Sequence, residues 1–119
     1  MSPTQNTAGK STFMVFATLR DDTDFAEFAA LREDEQKQLE VLRSAGRIGA
    51  HHVSPTRRAT FVEVIAADEA EVAETLATLP FARFFDADVY PTAPPDAAEA
   101  AHRARLVEVL ADSGSPDRG

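Results

Sequence analysis

Glu35 stands where a leucine would be expected. Read at about 100° per residue, Phe28, Leu31, Leu39 and Leu42 fall on one helical stripe, and Glu35 lies in the middle of it. A stripe of that kind packs on a sheet, so Glu35 is expected to point into the protein. A carboxylate there is costly unless it is hydrogen-bonded, paired or beside a wet cavity. Burial also disfavours the charged form and raises the pKa, which suits a group that moves protons near neutral pH. The plainer alternative is a carboxylate at the helix flank that reaches water or pairs with Arg32 or a strand residue.

A second polar group comes from the segment after the helix. His51 and His52 are neighbours in an extended run, so they point to opposite faces of a strand and cannot chelate one metal together. Either one can face Glu35, because a one-residue register error exchanges them. That histidine would be the partner of Glu35 and would polarise a carbonyl. Arg20, Arg58 and Arg83 are the cations available for a carboxylate, with Arg58 and Arg83 the candidates for substrate binding. Phe28 and Phe61 are the candidate apolar walls. The chain has no Gly-rich phosphate loop, no nucleotide fingerprint, no His-x-x-x-His pair and no nucleophile elbow. A metal would need one histidine together with Glu35 or Glu63, and no metal site is expected.

These residues need a scaffold, and the chain supplies one. Residues 1–10 read as a disordered leader. Residues 12–19 (TFMVFATL) form a short apolar run that reads as a strand covered on both faces. A helix is expected from Asp24, a capping residue, to Ala45, with Gly46 ending it. Residues 47–53 and 58–66 read as a hairpin around a turn at Ser54–Arg57, which sets Val53 opposite Arg58 and His51 opposite Thr60. Alternation puts Ile48, Ala50, His52, Phe61, Glu63 and Ile65 on one face, and Gly49, His51, Val53, Thr60, Val62 and Val64 on the other. Asp68 with Glu71 opens a second helix on the stripe Val72, Leu76, Leu79, and Pro80 stops it. Residues 84–90 (FFDADVY) alternate as a fourth strand. After Pro91, Pro94 and Pro95, an Ala-rich helix follows within residues 93–112, and 113–119 reads as a disordered tail.

The order β-α-β-β-α-β is the ferredoxin-like split βαβ pattern, an α+β fold with an antiparallel sheet and two helices on one face, here with an extra C-terminal helix. The unit is expected over residues 11–92. Two helices cover one face only, while the strands carry large apolar residues on both, so a homodimer or a higher homo-oligomer is expected.

Composition narrows the function classes. The 119 residues carry a net charge of −8, with acids spread along the chain. That argues against nucleic-acid and anionic-membrane surfaces, which need concentrated Lys and Arg. There is no cysteine, hence no disulfide and no thiolate. No apolar run approaches a membrane span or a signal-peptide core, so the default location is cytoplasmic.

The segments LEVLRSAGRIGAHHVSP and TFVEVIAADEAEVAETLATLPFARFFDADVYP resemble the muconolactone delta-isomerase-like family. The features are a helix ending in Ala45-Gly46-Arg47, a strand with Glu63-Val64, a helix closing on Leu79-Pro80-Phe81, and a last strand running into Tyr90-Pro91. The resemblance spans about Thr12 to Thr92. It implies a dimeric α+β barrel, related in fold to small cofactor-free monooxygenases of aromatic polyketides. It also implies cofactor-free proton transfer on a small lactone or enol, in a pocket between helices and sheet. The family's second strand typically carries a Trp-Arg pair. This chain has no tryptophan, and His52-Val53 stand nearest that place.

Three readings follow. The first is an isomerase in which Glu35 removes and returns a proton and His51 or His52 assists. The second is a cofactor-independent monooxygenase of aromatic polyketides. The third is a non-catalytic small-ligand-binding dimer.

Overall fold

A computed structural model describes residues 9–113. The leader and tail expected from the sequence therefore fall outside the described residues, apart from Gly9, Lys10 and Ser113. Lys10 is held by the Glu71 carboxylate at 2.7 Å.

The elements are β1 (Ser11–Leu19), α1 (Phe25–Ala30), α2 (Arg32–Ser44), β2 (Ile48–Ser54), β3 (Ala59–Ala66), α3 (Glu69–Ala77), a 3-10 turn (Pro80–Phe84), β4 (Phe85–Pro91) and α4 (Pro95–Ser113). The strands form one antiparallel sheet in the order β2-β3-β1-β4. This is the α+β, ferredoxin-like arrangement with a C-terminal helix. Period-2 alternation fixes which face is buried. Phe13, Val15 and Ala17 of β1 turn inward, where Val15 lies between Val62 and Val89 on the flanking strands. Leu39 and Leu42 of α2 and Val72 of α3 close over them.

Three details differ from the sequence reading. The helix expected over 24–45 is two helices, broken at Leu31, which has φ −96° and ψ 0° and no side-chain cap. The break reconciles two demands on one stripe. Phe28 stacks on Phe81 with ring centroids 4.1 Å apart, while Glu35, Leu39 and Leu42 bury against the sheet.

The hairpin turn is Pro55–Arg58 rather than Ser54–Arg57. The Arg58 N–H closes it onto the Pro55 carbonyl, and Arg58 itself takes φ +52°. Ser54 thus faces Ala59, Val53 faces Thr60, His52 faces Phe61 and His51 faces Val62. The offset is two residues, so the two histidines keep the faces assigned by alternation.

The third difference is a bulge between Ile48 and His51, which moves Ile48 off the His52 face and into the core opposite Val64. Glu63 makes the bulge by accepting the Ala50 N–H at 2.8 Å. A Cβ on Gly49 would sit 2.6 Å from that carboxylate oxygen. Gly49→Ala is expected to displace the Glu63 side chain and cost about 1 kcal/mol, the net worth of one hydrogen bond. A denaturant midpoint unchanged from the parent would count against this account.

At the far end, α4 stands away from the body. Residues 95–111 are all exposed, including Leu106 and Leu110. The radius of gyration is accordingly 19.4 Å, against about 13–14 Å for a compact domain of this length.

Candidate active site

Between the helices and the covered face of the sheet lies a cavity of about 470 Å³. That is within the range of small-molecule sites. Strand residues Val15, Ala17, Val62 and Ala87 form its floor, and Phe28, Phe81 and Phe85 form an aromatic wall. Its polar lining comes from Arg32, Glu35, Gln36, His51, Ser54, Arg58 and Thr60.

Glu35 reaches this cavity from α2 and is only 6% exposed. Its Oε1 accepts the Phe81 N–H at 2.9 Å. The local sequence explains the bond. Pro80 opens the 3-10 turn and has no N–H, and the first donors of a helical turn have no partner within it. The Leu79-Pro80-Phe81 step thus offers a free donor, and Glu35 fills it. Burial pushes the Glu35 pKa up from 4.5, and the Phe81 N–H opposes that shift.

His51 enters from β2 on the same face. Its Nε2 lies 2.9 Å from the Thr60 hydroxyl. Burial holds its pKa below the ordinary 6.5, helped by the charges of Arg43 and His52. His52 is on the opposite face, across from Phe61, whose ring lies 5.1 Å from that of Phe16. The structure thus brings Glu35, His51, Phe28 and Arg58 to one cavity and leaves His52 and Phe61 behind the sheet.

The arginines divide in the same way. Arg58 lines the cavity and lies over the Phe25 ring, 5.2 Å from its centroid. Arg83 does not line it. It leans on the Phe84 ring and faces Glu27 at 3.8 Å. Arg20 is paired with Asp86. The sequence reading did not select Arg32, Gln36 or Thr60. A signal for the first two existed, because Arg32 and Gln36 are four residues apart and flank Glu35 on the same turns.

Residues 12–109 match the family model of muconolactone delta-isomerase. The chain belongs to the muconolactone delta-isomerase family. A search of the curated proteins returns no match. The family match runs past Thr92 and takes in most of α4, so the C-terminal helix is part of the shared length rather than an appendage to it. Among the described residues, no three His, Cys, Asp or Glu side chains gather as metal ligands would, and no helix is long and apolar enough to cross a membrane.

The raised Glu35 pKa has a stability consequence. The folded chain favours the protonated acid, so it binds more protons than the unfolded chain between pH 4.5 and the raised value. Stability therefore falls as pH rises through that window. His51 acts in the opposite sense just below pH 6.5, where the unfolded chain binds more protons and stability rises with pH. Glu35→Gln keeps an acceptor for Phe81 and removes the charge, so its melting temperature at pH 7 is expected to equal or exceed that of the parent. Glu35→Leu leaves the Phe81 N–H unpaired and is expected to lose about 1–3 kcal/mol. Thermal melts of both variants across pH 4–8 check the pair, and a less stable Gln variant at pH 7 contradicts it.

Proposed function

We propose that this protein is a cofactor-free isomerase that moves a proton along a small unsaturated lactone or enol. The observation that supports this most is Glu35, a nearly buried carboxylate that lines the same apolar cavity as His51 in a chain of this family. The reaction breaks the C–H bond at the far (γ) end of a double bond conjugated with the carbonyl and forms another at the α carbon beside that carbonyl. It needs an acid and a base but no change of oxidation state, so titratable side chains suffice. Arg58, with Arg32 beside the same cavity, would hold a substrate carboxylate, and Phe28 would pack on the ring. We further propose that the protein acts in the cytoplasm as a homodimer or higher homo-oligomer.

The test is incubation of the purified chain with muconolactone, followed by proton NMR for the shifted double bond. Isomerisation without oxygen consumption is expected. An unchanged spectrum at high enzyme concentration would refute the assignment.

The cavity volume favours a second reading. About 470 Å³ is generous for a single-ring lactone and suits a larger flat substrate. A cofactor-independent monooxygenase of aromatic polyketides would use the same walls. Oxygen uptake with an anthrone-like substrate would select it over the isomerase. Saturable binding of either compound without turnover would select a non-catalytic ligand-binding dimer.

A further inference from the structure

The Thr60 hydroxyl touches two groups. Its Oγ1 lies 3.1 Å from the His52 carbonyl and 2.9 Å from Nε2 of His51. A carbonyl oxygen only accepts, and a threonine hydroxyl has a single proton to give. With that proton on His52 O, the contact to His51 requires the ring to donate. Nε2 must then carry the hydrogen. In a neutral imidazole the other nitrogen is left bare.

We infer that Thr60 is a positioning residue that locks His51 as the Nε2–H tautomer, so that the ring offers the cavity a proton-accepting Nδ1.

Three observations bear on this. Nδ1 has no hydrogen-bond partner among the described residues and is not sealed from solvent, while the residue lines the cavity. Burial, with Arg43 and His52, keeps the ring neutral to lower pH than usual, which leaves the Nδ1 lone pair free. The arrangement also crosses strands. Thr60 sits on β3 opposite Val53, and the hydroxyl reaches both histidines of β2 from that one position. A donor that polarises a carbonyl must then come from another lining residue, since the only N–H of the neutral ring is already used.

For the reaction proposed above, on which this half of the argument rests, the roles separate. His51 Nδ1 takes the proton from the γ carbon of the substrate, and the electron pair of that C–H bond passes through the double bond into the conjugated carbonyl. Glu35, whose protonated form burial favours, delivers a proton to the α carbon beside the carbonyl, and the double bond re-forms between the β and γ carbons. His51 then loses its proton to water and Glu35 regains one, so the substrate is isomerised with no net proton change. The hydrogen that arrives is therefore not the one that left.

Two measurements test this on the full chain. The first needs no substrate. Nitrogen–proton correlation spectra of the imidazole rings distinguish the two tautomers and the charged form, and His51→Gln identifies the His51 signals. The parent and Thr60→Ser are expected to show the Nε2–H tautomer near pH 7. Thr60→Val is expected to show a mixture. A parent in the Nδ1–H form, or a Val variant with the parental pattern, overturns the inference.

The second follows muconolactone in heavy water. Two separate groups place one solvent deuterium in nearly every product molecule, and Thr60→Val lowers kcat with little change in KM while Thr60→Ser restores it. Product that retains the substrate hydrogen points to a single carrier and overturns the division of roles. Complete absence of turnover by the parent removes the isomerase reading instead, and the tautomer result stands independently of it.

Discussion

Glu35→Gln is expected to lower kcat for muconolactone isomerisation by about 10²–10⁴-fold, the usual contribution of one acid–base group. The reasoning is geometric. Gln has the size of Glu and its amide oxygen can still accept the Phe81 N–H, so the 3-10 turn and the aromatic wall should remain in place. It cannot exchange a proton with carbon near neutral pH. The loss should therefore appear in kcat with KM little altered, which is the signature of an interaction used in the transition state. Circular dichroism and a melting curve would show the variant folded. Turnover equal to that of the parent would remove Glu35 from the chemistry.

Assembly should give the second large effect. The face of the sheet away from the helices carries the Phe16–Phe61 pair, with Phe61 38% and Tyr90 54% exposed. A second copy laid on this face would bury an area of obligate-dimer size, on the order of 2,000 Å² in total. The net charge of −8 opposes this only weakly, since salt screens it over about 8 Å. Light scattering at micromolar concentration is expected to give twice the chain mass or a higher multiple, and Phe61→Asp to give one. The arm should matter as well. The Leu106 and Leu110 edge of α4 is exposed among the described residues, and helices in proteins draw most of their stability from packing an apolar face. A chain ending at Thr92 is expected to melt several degrees lower. A monomeric parent would sink the dimer, and an unchanged melting temperature would sink the arm.

The sequence made some of this legible, and physical reasons divide it from the rest. The position of Glu35 could be read because helical periodicity is local: seven residues from Phe28 and seven from Leu42 leave little choice of face. The four strands and the Pro80 stop were readable for the same reason. The break at Leu31 was not, because Leu is a good helix former. The break lets the Phe28 ring stack on Phe81, a residue far along the chain. The bulge was hidden likewise. Gly49 looks unremarkable until Glu63 reaches across from the next strand. The choice between His51 and His52 depended on register, and the role of Thr60 on a contact between two strands. Most of what escaped was set by a partner distant in sequence; the turn at Pro55–Arg58 was local, and depended on Arg58 taking a positive φ that its residue type does not announce.

Arg58 has one more implication. A non-glycine residue at φ +52° carries about 1–2 kcal/mol of backbone strain. Glycine would relieve that strain, and the turn would accept it, since the backbone bonds to Pro55 and Leu19 need no side chain. Selection for thermal robustness alone would favour glycine here, whereas under the function proposed above selection for binding a substrate carboxylate would favour the cation. The hairpin tip is thus a place where the two pressures oppose each other. Among relatives, arginine at this turn would be expected to track retention of an anionic ligand, and glycine to mark lineages that have given it up.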